Sequence, residues 1–239
     1  MAMEMNEAIK SRHSVRRYVS RPIDADTLGK LQEKIDEVNA KGGLHVQLVT
    51  DEKRAFGGFA SYGKFTGVEN YIVMAGRKAP DLNARIGYYG EQMVLLAQTL
   101  GLNTCWVGLT YRKVADAFSL EQGEKVVCLI ALGYGETQGA AHKTKTVEQV
   151  SNASADTPEW FRHGVEAALL APTAINQQKF RFEYIAPHDG QKARVAAHRG
   201  FSLAGYTQTD CGIAMLHFEI GAGKENFEWA NGGSGKFNL

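Results

Sequence analysis

Two hydrophobic periods alternate along the chain. At residues 24–39, Leu28, Leu31, Ile35 and Val38 lie three or four positions apart, which predicts an amphipathic helix capped by Asp24 or Asp26. Gly42-Gly43 breaks that pattern, and His45-Val46-Gln47-Leu48-Val49 then alternates as a strand. Tyr71-Ile72-Val73-Met74-Ala75 reads as a second strand, closed by Gly76. Residues 83–102 form the longest helix candidate, with Met93, Leu96, Ala97 and Leu100 on one face and Gly101 at its end. Val126–Leu132 is apolar at every position, so it is expected to be a central strand buried on both faces. Residues 158–171 are helical again, 180–185 alternate as a strand, and a last helix covers about 207–221. The stretch 231–235 reads as turn-like. The expected class is α+β, with no low-complexity linker.

The pattern also suggests a worn internal duplication. Helix 24–39 and strand 45–50 resemble helix 158–171 and strand 181–186, and Leu95-Leu96 with Leu100-Gly101 resemble Met215-Leu216 with Ile220-Gly221. The offset falls from 136 to 120 between these pairs, so the second copy has the shorter middle.

Composition narrows the function classes. The chain has 239 residues, 44% of them hydrophobic and 22% charged, which is a globular balance. Its length corresponds to roughly 1.6 ordinary domains. Lys plus Arg is 27 and Asp plus Glu is 26, so no general electrostatic attraction to nucleic acid or an anionic membrane is expected. Three scattered cysteines without a CxxC pair point away from zinc knuckles and thioredoxin-type sites and suit a reducing, cytoplasmic setting. The first residues are not a secretory signal, and no apolar run approaches the ~20 residues of a membrane span. The sequon Asn152-Ala153-Ser154 carries no meaning in that setting.

Four segments carry candidate chemistry. In Arg12-His13-Ser14-Val15-Arg16-Arg17-Tyr18, Arg12, Ser14 and Arg16 alternate, so an extended chain projects two guanidiniums and a hydroxyl to one side, a set suited to a phosphate. His142-Lys143-Thr144-Lys145 alternates two lysines just after the buried strand. Leu170–Phe180 ends a helix at Pro172 and then offers Asn176, Gln177 and Gln178, whose mixed donors and acceptors suit the edge of a flat heterocycle. Gly101–Leu109 places Trp106 and Gly108 after a helix end, and Gly108 permits close backbone approach to a ligand. Taken singly, each also reads as an ordinary basic turn, solvated loop, polar turn or core tryptophan.

Other motifs fail. Gly139 stands one position late for a GxGxxG turn begun at Gly133-Tyr134-Gly135, and no apolar helix follows. Gly232-Gly233-Ser234-Gly235-Lys236 is neither a nucleophile elbow nor a P-loop. The seven histidines lack HExxH spacing, so no metal site is expected.

Together the four segments resemble the nitroreductase family of FMN enzymes, in its fused or duplicated branch. The match lies in Arg12-x-Ser14-x-Arg16-x-Tyr18, in Leu100–Trp106, in Lys143-x-Lys145 and in Ala171–Gln178, and it covers most of 5–150 and, more thinly, 155–222. One departure is informative. Members usually carry the Pro-Ser-Asn-type run after the first helix, where this chain has Val38-Asn39-Ala40-Lys41-Gly42-Gly43; here the run comes at 171–178. Members are usually intertwined homodimers in which that run reaches the flavin from the partner chain.

The resemblance therefore implies two intertwined pseudo-symmetric halves in one chain: residues 1–150 with the phosphate clamp, and a shortened 151–239 completing the flavin site. It implies a monomer with one FMN. By position, Arg12, His13, Ser14, Arg16, Lys143 and Lys145 would bind the phosphate and ribityl chain. Trp106, Val107, Gly108 and Leu109 would face the ring, a backbone N–H of Gly108 or Leu109 near flavin N5. Pro172, Thr173, Ala174 and Asn176 would line the ring edge, and Lys64, after Tyr62-Gly63, is a further candidate there. Many members have an acidic residue where Gly108 stands, so that carboxylate's role is absent. The implied activity passes hydride from NAD(P)H through FMN to an electron-poor acceptor such as a nitroaromatic or quinone, in ping-pong order and with no side-chain acid or base. The alternatives are a non-catalytic flavin-binding protein on the same scaffold and an interaction protein without flavin.

Overall fold

The computed structural model of the chain describes residues 4–57, 64–188 and 190–230. The expected turn-like tail, the rejected Gly232–Lys236 motif, the first three residues and Tyr62-Gly63 lie outside the described residues.

The first compact unit comprises Met1–Leu82 with Gln92–Ala141. It opens on α1 (Met5–Ser11), a short helix whose two buried residues, Ala8 and Ile9, gave no readable period. Next comes α2 (Ala25–Gly42), capped by Asp24, whose carboxylate accepts the Thr27 N–H at 2.9 Å. The helix ends at Gly43 in the left-handed region (φ 56°).

Four strands form this unit's sheet: β1 (Gln47–Val49), β2 (Asn70–Arg77), β3 (Asn103–Val107) and β4 (Glu124–Gly133). Their order is β1-β2-β4-β3 and every pairing is antiparallel. The all-apolar stretch of β4 therefore sits centrally, as its pattern required, with Ile130 opposite both Ile72 and Trp106. Val15, Tyr18, Phe56, Phe65, Tyr71, Val73, Val107 and Leu129 pack together in its core. The turn after β1 is closed by Glu52, 7% exposed, which accepts the Arg54 and Ala55 N–H groups, the Arg54 Nε–H and the Tyr71 hydroxyl at 2.8–3.2 Å. Burial by itself would raise this carboxyl's pKa; the Arg54 guanidinium and the other donors outweigh it and hold the value below normal.

The helix α3 (Leu82–Thr99) belongs to both units, since Asn83–Glu91 groups with the second. Its end is a Schellman motif: Leu102 N–H donates to Ala97 O (2.9 Å), Gly101 N–H to Gln98 O (3.1 Å), and Gly101 takes φ 77°.

The second unit, Asn83–Glu91 with His142–Leu239, holds α4 (Val147–Val150), α5 (Glu159–Leu169) and α6 (Thr207–Ala222). Its sheet runs β5 (Phe180–Ile185), β6 (Arg194–Arg199) and β7 (Glu228–Trp229), with β5–β6 antiparallel and β6–β7 parallel. Its core is aromatic: Phe182 stacks on Phe218 at 4.7 Å between centroids, and Phe161 and Trp229 meet the Phe218 ring at 5.6 Å. On α6, His217 is fully buried and its Nε2 lies 2.9 Å from the equally buried Glu91 carboxylate. The molecule is α+β, with two sheets and flanking helices. The two units meet in the chain at Ala141/His142, and residues 83–91 group with the second. Among the described residues, no helix is long and apolar enough to cross a membrane.

Candidate functional site

In the first unit, the run Arg12–Tyr18 is extended and fastened to the sheet. Val15 N–H donates to Thr104 O at 3.0 Å, and Ser14 bridges Thr104 in parallel. Val15 and Tyr18 are buried in the core, while Arg16 and Arg17 between them are exposed. Arg12, Ser14 and Arg16 are all close enough to the Cys105 thiol of β3 to pull its pKa down. Burial pushes that thiol's pKa up, while the two guanidiniums and the Ser14 hydrogen bond pull it back. Arg12 is 3% exposed and Arg16 is exposed. Among the described residues Arg17 is ion-paired to Glu136 at 2.8 Å, whereas Arg16 faces no carboxylate at that distance. His13 is half-buried, and its Cβ lies 2.7 Å from where a Cβ on Gly139 would stand. Gly139 also has φ 77°, so only glycine lets that segment pass this close.

The residues expected to face the ring lie on β3 and just beyond it. Trp106 is half-buried opposite Ile130, Val107 is buried, Gly108 is half-buried, and Leu109 is 78% exposed past the strand end. The strand itself escaped the sequence reading, because four of its five residues are buried and no alternation shows. Asn103 at its start accepts the Gly135 N–H at 2.9 Å and donates to Gln138 at 2.9 Å. These bonds fix the glycine-rich segment dismissed as a nucleotide turn against the start of β3. Lys64 is exposed.

The second unit brings the other two segments together. The Lys143 carbonyl accepts from Asn176 Nδ2 at 2.9 Å and from Gln178 Nε2 at 2.8 Å. Lys145 N–H donates to Gln178 Oε1 at 2.9 Å, and its ammonium donates to the Gln178 carbonyl at 2.6 Å. Burial, and then the neighbouring Lys179 charge, lower the Lys145 pKa. The Lys143 side chain is exposed, and His142 is anchored to Leu169 O at 3.0 Å.

The polar strip itself is unusual backbone. Pro172 is buried and Thr173 Oγ accepts the Gln178 N–H at 3.1 Å. Ala174–Asn176 forms a 3-10 turn in which Ile175 (φ 49°) and Asn176 (φ 57°) are left-handed, with Gln178 (φ 45°) following. For a β-branched residue such as Ile175 this conformation is a true outlier, and its side chain is 83% exposed. Two residues missed by sequence reasoning organise the strip. Gln178 stitches it to the lysine loop, and Asp210 of α6 accepts the Ala174 N–H at 3.0 Å. Gln178 lay inside a quoted motif, but Asp210 lies 36 positions from Ala174 with no local signal.

Comparison with known proteins bears on what these segments do. The family described as "Putative TM nitroreductase" matches residues 4–222. The crystal structure of a putative nitroreductase from Thermotoga maritima superposes with a TM-score of 0.61 at 24% identity, covering 94% of this chain and 86% of that one. One in complex with FMN, from Desulfovibrio desulfuricans, gives 0.50 at 15% identity over 66% of this chain and 99% of that one. At these identities the likeness is one of fold. No curated protein matches the sequence.

Proposed function

Because the chain belongs to the TM nitroreductase family, we propose that it is an FMN-dependent oxidoreductase. The observation that carries this reading is the gathering of Arg12, Ser14 and Arg16 beside β3, whose end bears Trp106–Leu109. Two guanidiniums and a hydroxyl form the donor set that a phosphate monoester needs. The strip Pro172–Asn176 carries short polar groups on a rigidly bonded turn, which suits a heterocycle edge.

In this reading Arg12, Ser14 and Arg16 hold the phosphate, with His13 beside them. Lys143 and Lys145 add positive charge; Lys145 gives one N–H to Gln178 and keeps two. Trp106, Val107, Gly108 and Leu109 form one wall, Gly108 and Leu109 offering backbone donors. Pro172, Thr173, Ala174 and Asn176 would line the ring edge. When bound, FMN would supply the redox chemistry, accepting hydride from NAD(P)H and passing it to an electron-poor acceptor such as a nitroaromatic or quinone. The residues named bind and orient; none is required to move a proton. Both sets of residues are present in one chain, so the expected species is a monomer.

Purified protein should be yellow, with about one FMN per chain. Colourless protein that cannot be reconstituted with FMN would overturn the reading, and flavin bound without NAD(P)H turnover would mark a non-catalytic flavin protein. Arg16→Ala removes a charged phosphate contact, so FMN affinity measured by fluorescence quenching should fall by about 1.5–3 kcal/mol. A scattering mass twice that of the chain would contradict the monomer.

A further inference from the structure

Within the second unit, the strip at 173–178 depends on one buried carboxylate. Asp210 is 3% exposed in the first turn of α6. One oxygen accepts the Ala174 N–H at 3.0 Å and the other accepts Gln177 Nε2 at 2.6 Å. The same Gln177 amide donates to Gly205 O at 3.0 Å, so the carboxylate, the strip and the loop before α6 form one bonded unit. The turn of α6 that carries Asp210 is itself fixed. A Cβ on Gly212 would fall 2.1 Å from Ala84 O, and one on Gly87 2.0 Å from Thr209 O, so α6 and the first half of α3 meet backbone to backbone.

What this platform holds is backbone that does not hold itself. Ile175, Asn176 and Gln178 are left-handed without being glycine, a conformation that persists only where the surroundings over-determine it. The two donors aimed at Asp210 need two acceptors. A carboxylate provides both, whereas an asparagine would turn its NH2 toward the Gln177 NH2.

We infer that Asp210 is a positioning residue of the flavin site, its ionised carboxylate holding the Ala174–Asn176 turn in the left-handed form that presents Thr173 and Asn176 to the ring edge. The inference rests on the FMN reading above. Asp210 touches no cofactor in this assignment and acts through Ala174 and Gln177.

The charge is held at a cost. Burial raises the Asp210 pKa to about 6, against the opposing pull of Gln177 and Ala174. The titratable groups around it do not share the effect. Cys211, next on the helix, has its thiol pushed up to about 12 by burial and then by Asp210. Arg199 of β6 acts on that thiol. Lys143, Lys145 and Lys179 flank the strip, Arg85, Tyr88 and Tyr89 lie on the facing part of α3, and Glu91 there is committed to His217. None of these figures among the causes of the Asp210 shift.

The test pairs a flavin readout with a flavin-independent one, using the full chain. In wild type, the Ala174 amide proton should move downfield as pH rises, with a midpoint near about 6. Asp210→Asn should abolish that step. Titration of the FMN-stripped protein should show wild-type affinity falling roughly tenfold between pH 7 and pH 5, with Asp210→Asn about tenfold weaker than wild type at pH 7 and level with it at pH 5. Gln177→Ala, which keeps the carboxylate and loses one strap, should weaken FMN about threefold and keep the pH step. Wild-type FMN affinity in Asp210→Asn, or an Ala174 amide that does not titrate, overturns the inference. If stripped wild type takes up no FMN while the Ala174 amide titrates normally, the flavin reading fails and the clamp does not.

Discussion

Two carboxylates, one in each unit, are almost equally hidden and behave oppositely. Glu52 is 7% exposed and Asp210 3%, yet the first is held below its ordinary pKa and the second is raised to about 6. Burial alone penalises both. Glu52 recovers the loss from two backbone amides, the Tyr71 hydroxyl and a guanidinium; Asp210 has one amide N–H and one side-chain amide, both neutral. Donor number and charge, together with the heavier desolvation of Asp210, therefore decide the sign of the shift. The first arrangement stabilises its turn at neutral pH. The second destabilises the fold there, and it occurs beside the strip assigned to the flavin.

The comparison breaks most severely at Glu52. Glu52→Ala leaves the Ala55 N–H and the Tyr71 hydroxyl without their acceptor in the core, so chemical denaturation at pH 7 should show a loss of about 4 kcal/mol. Wild-type stability owed to Glu52 is fully present above its unfolded pKa of 4.5 and is lost as pH falls through its lower folded value. Asp210 gives the opposite sign. Its folded pKa of about 6 exceeds the ordinary 3.8, so the folded state binds the proton more tightly and stability declines as pH rises between those values. Measured against wild type across that window, Asp210→Asn should gain on the order of 3 kcal/mol from pH 4 to pH 7. A flat difference would show that Asp210 is not raised. The smallest test sharpens the role of donor count. Tyr71→Phe removes one hydrogen bond from Glu52, should cost about 1 kcal/mol, and should shift the acid limb of the stability curve toward higher pH.

How much of this was legible follows from where the interactions lie in the chain. The helix over Leu28–Val38 and the central strand over 126–132 stand where their periods put them, because burial on one face or on both writes itself into adjacent positions. The alternation of Arg12, Ser14 and Arg16 was legible for the same reason, and all three influence the Cys105 thiol. The strands at 103–107 and 194–199 were not, since Cys105 and Ala196–Ala197 are buried without alternating. The left-handed Ile175 and Asn176 could not be read locally either; a β-branched residue argues against that conformation, and the groups that enforce it come from Gln178 and from Asp210 on a distant helix. The bonding of Asp210 to Ala174 and Gln177 is a tertiary contact that no local pattern encodes.

The sharing of α3 has a consequence for modularity. The second unit is not a contiguous stretch of gene: residues 83–91 reach it from the middle of the chain. A fragment beginning at His142 would carry α6 without the Glu91 that His217 meets, and without the Tyr88 whose hydroxyl donates to Glu219. Its His217 imidazole would keep Ala167 O and its Glu219 carboxylate Trp229 Nε1, each having lost one buried partner. Neither half can be excised or transplanted by a single cut, and co-expressed pieces divided at residue 141 should regain structure only by complementation, with α3 supplied from the first piece.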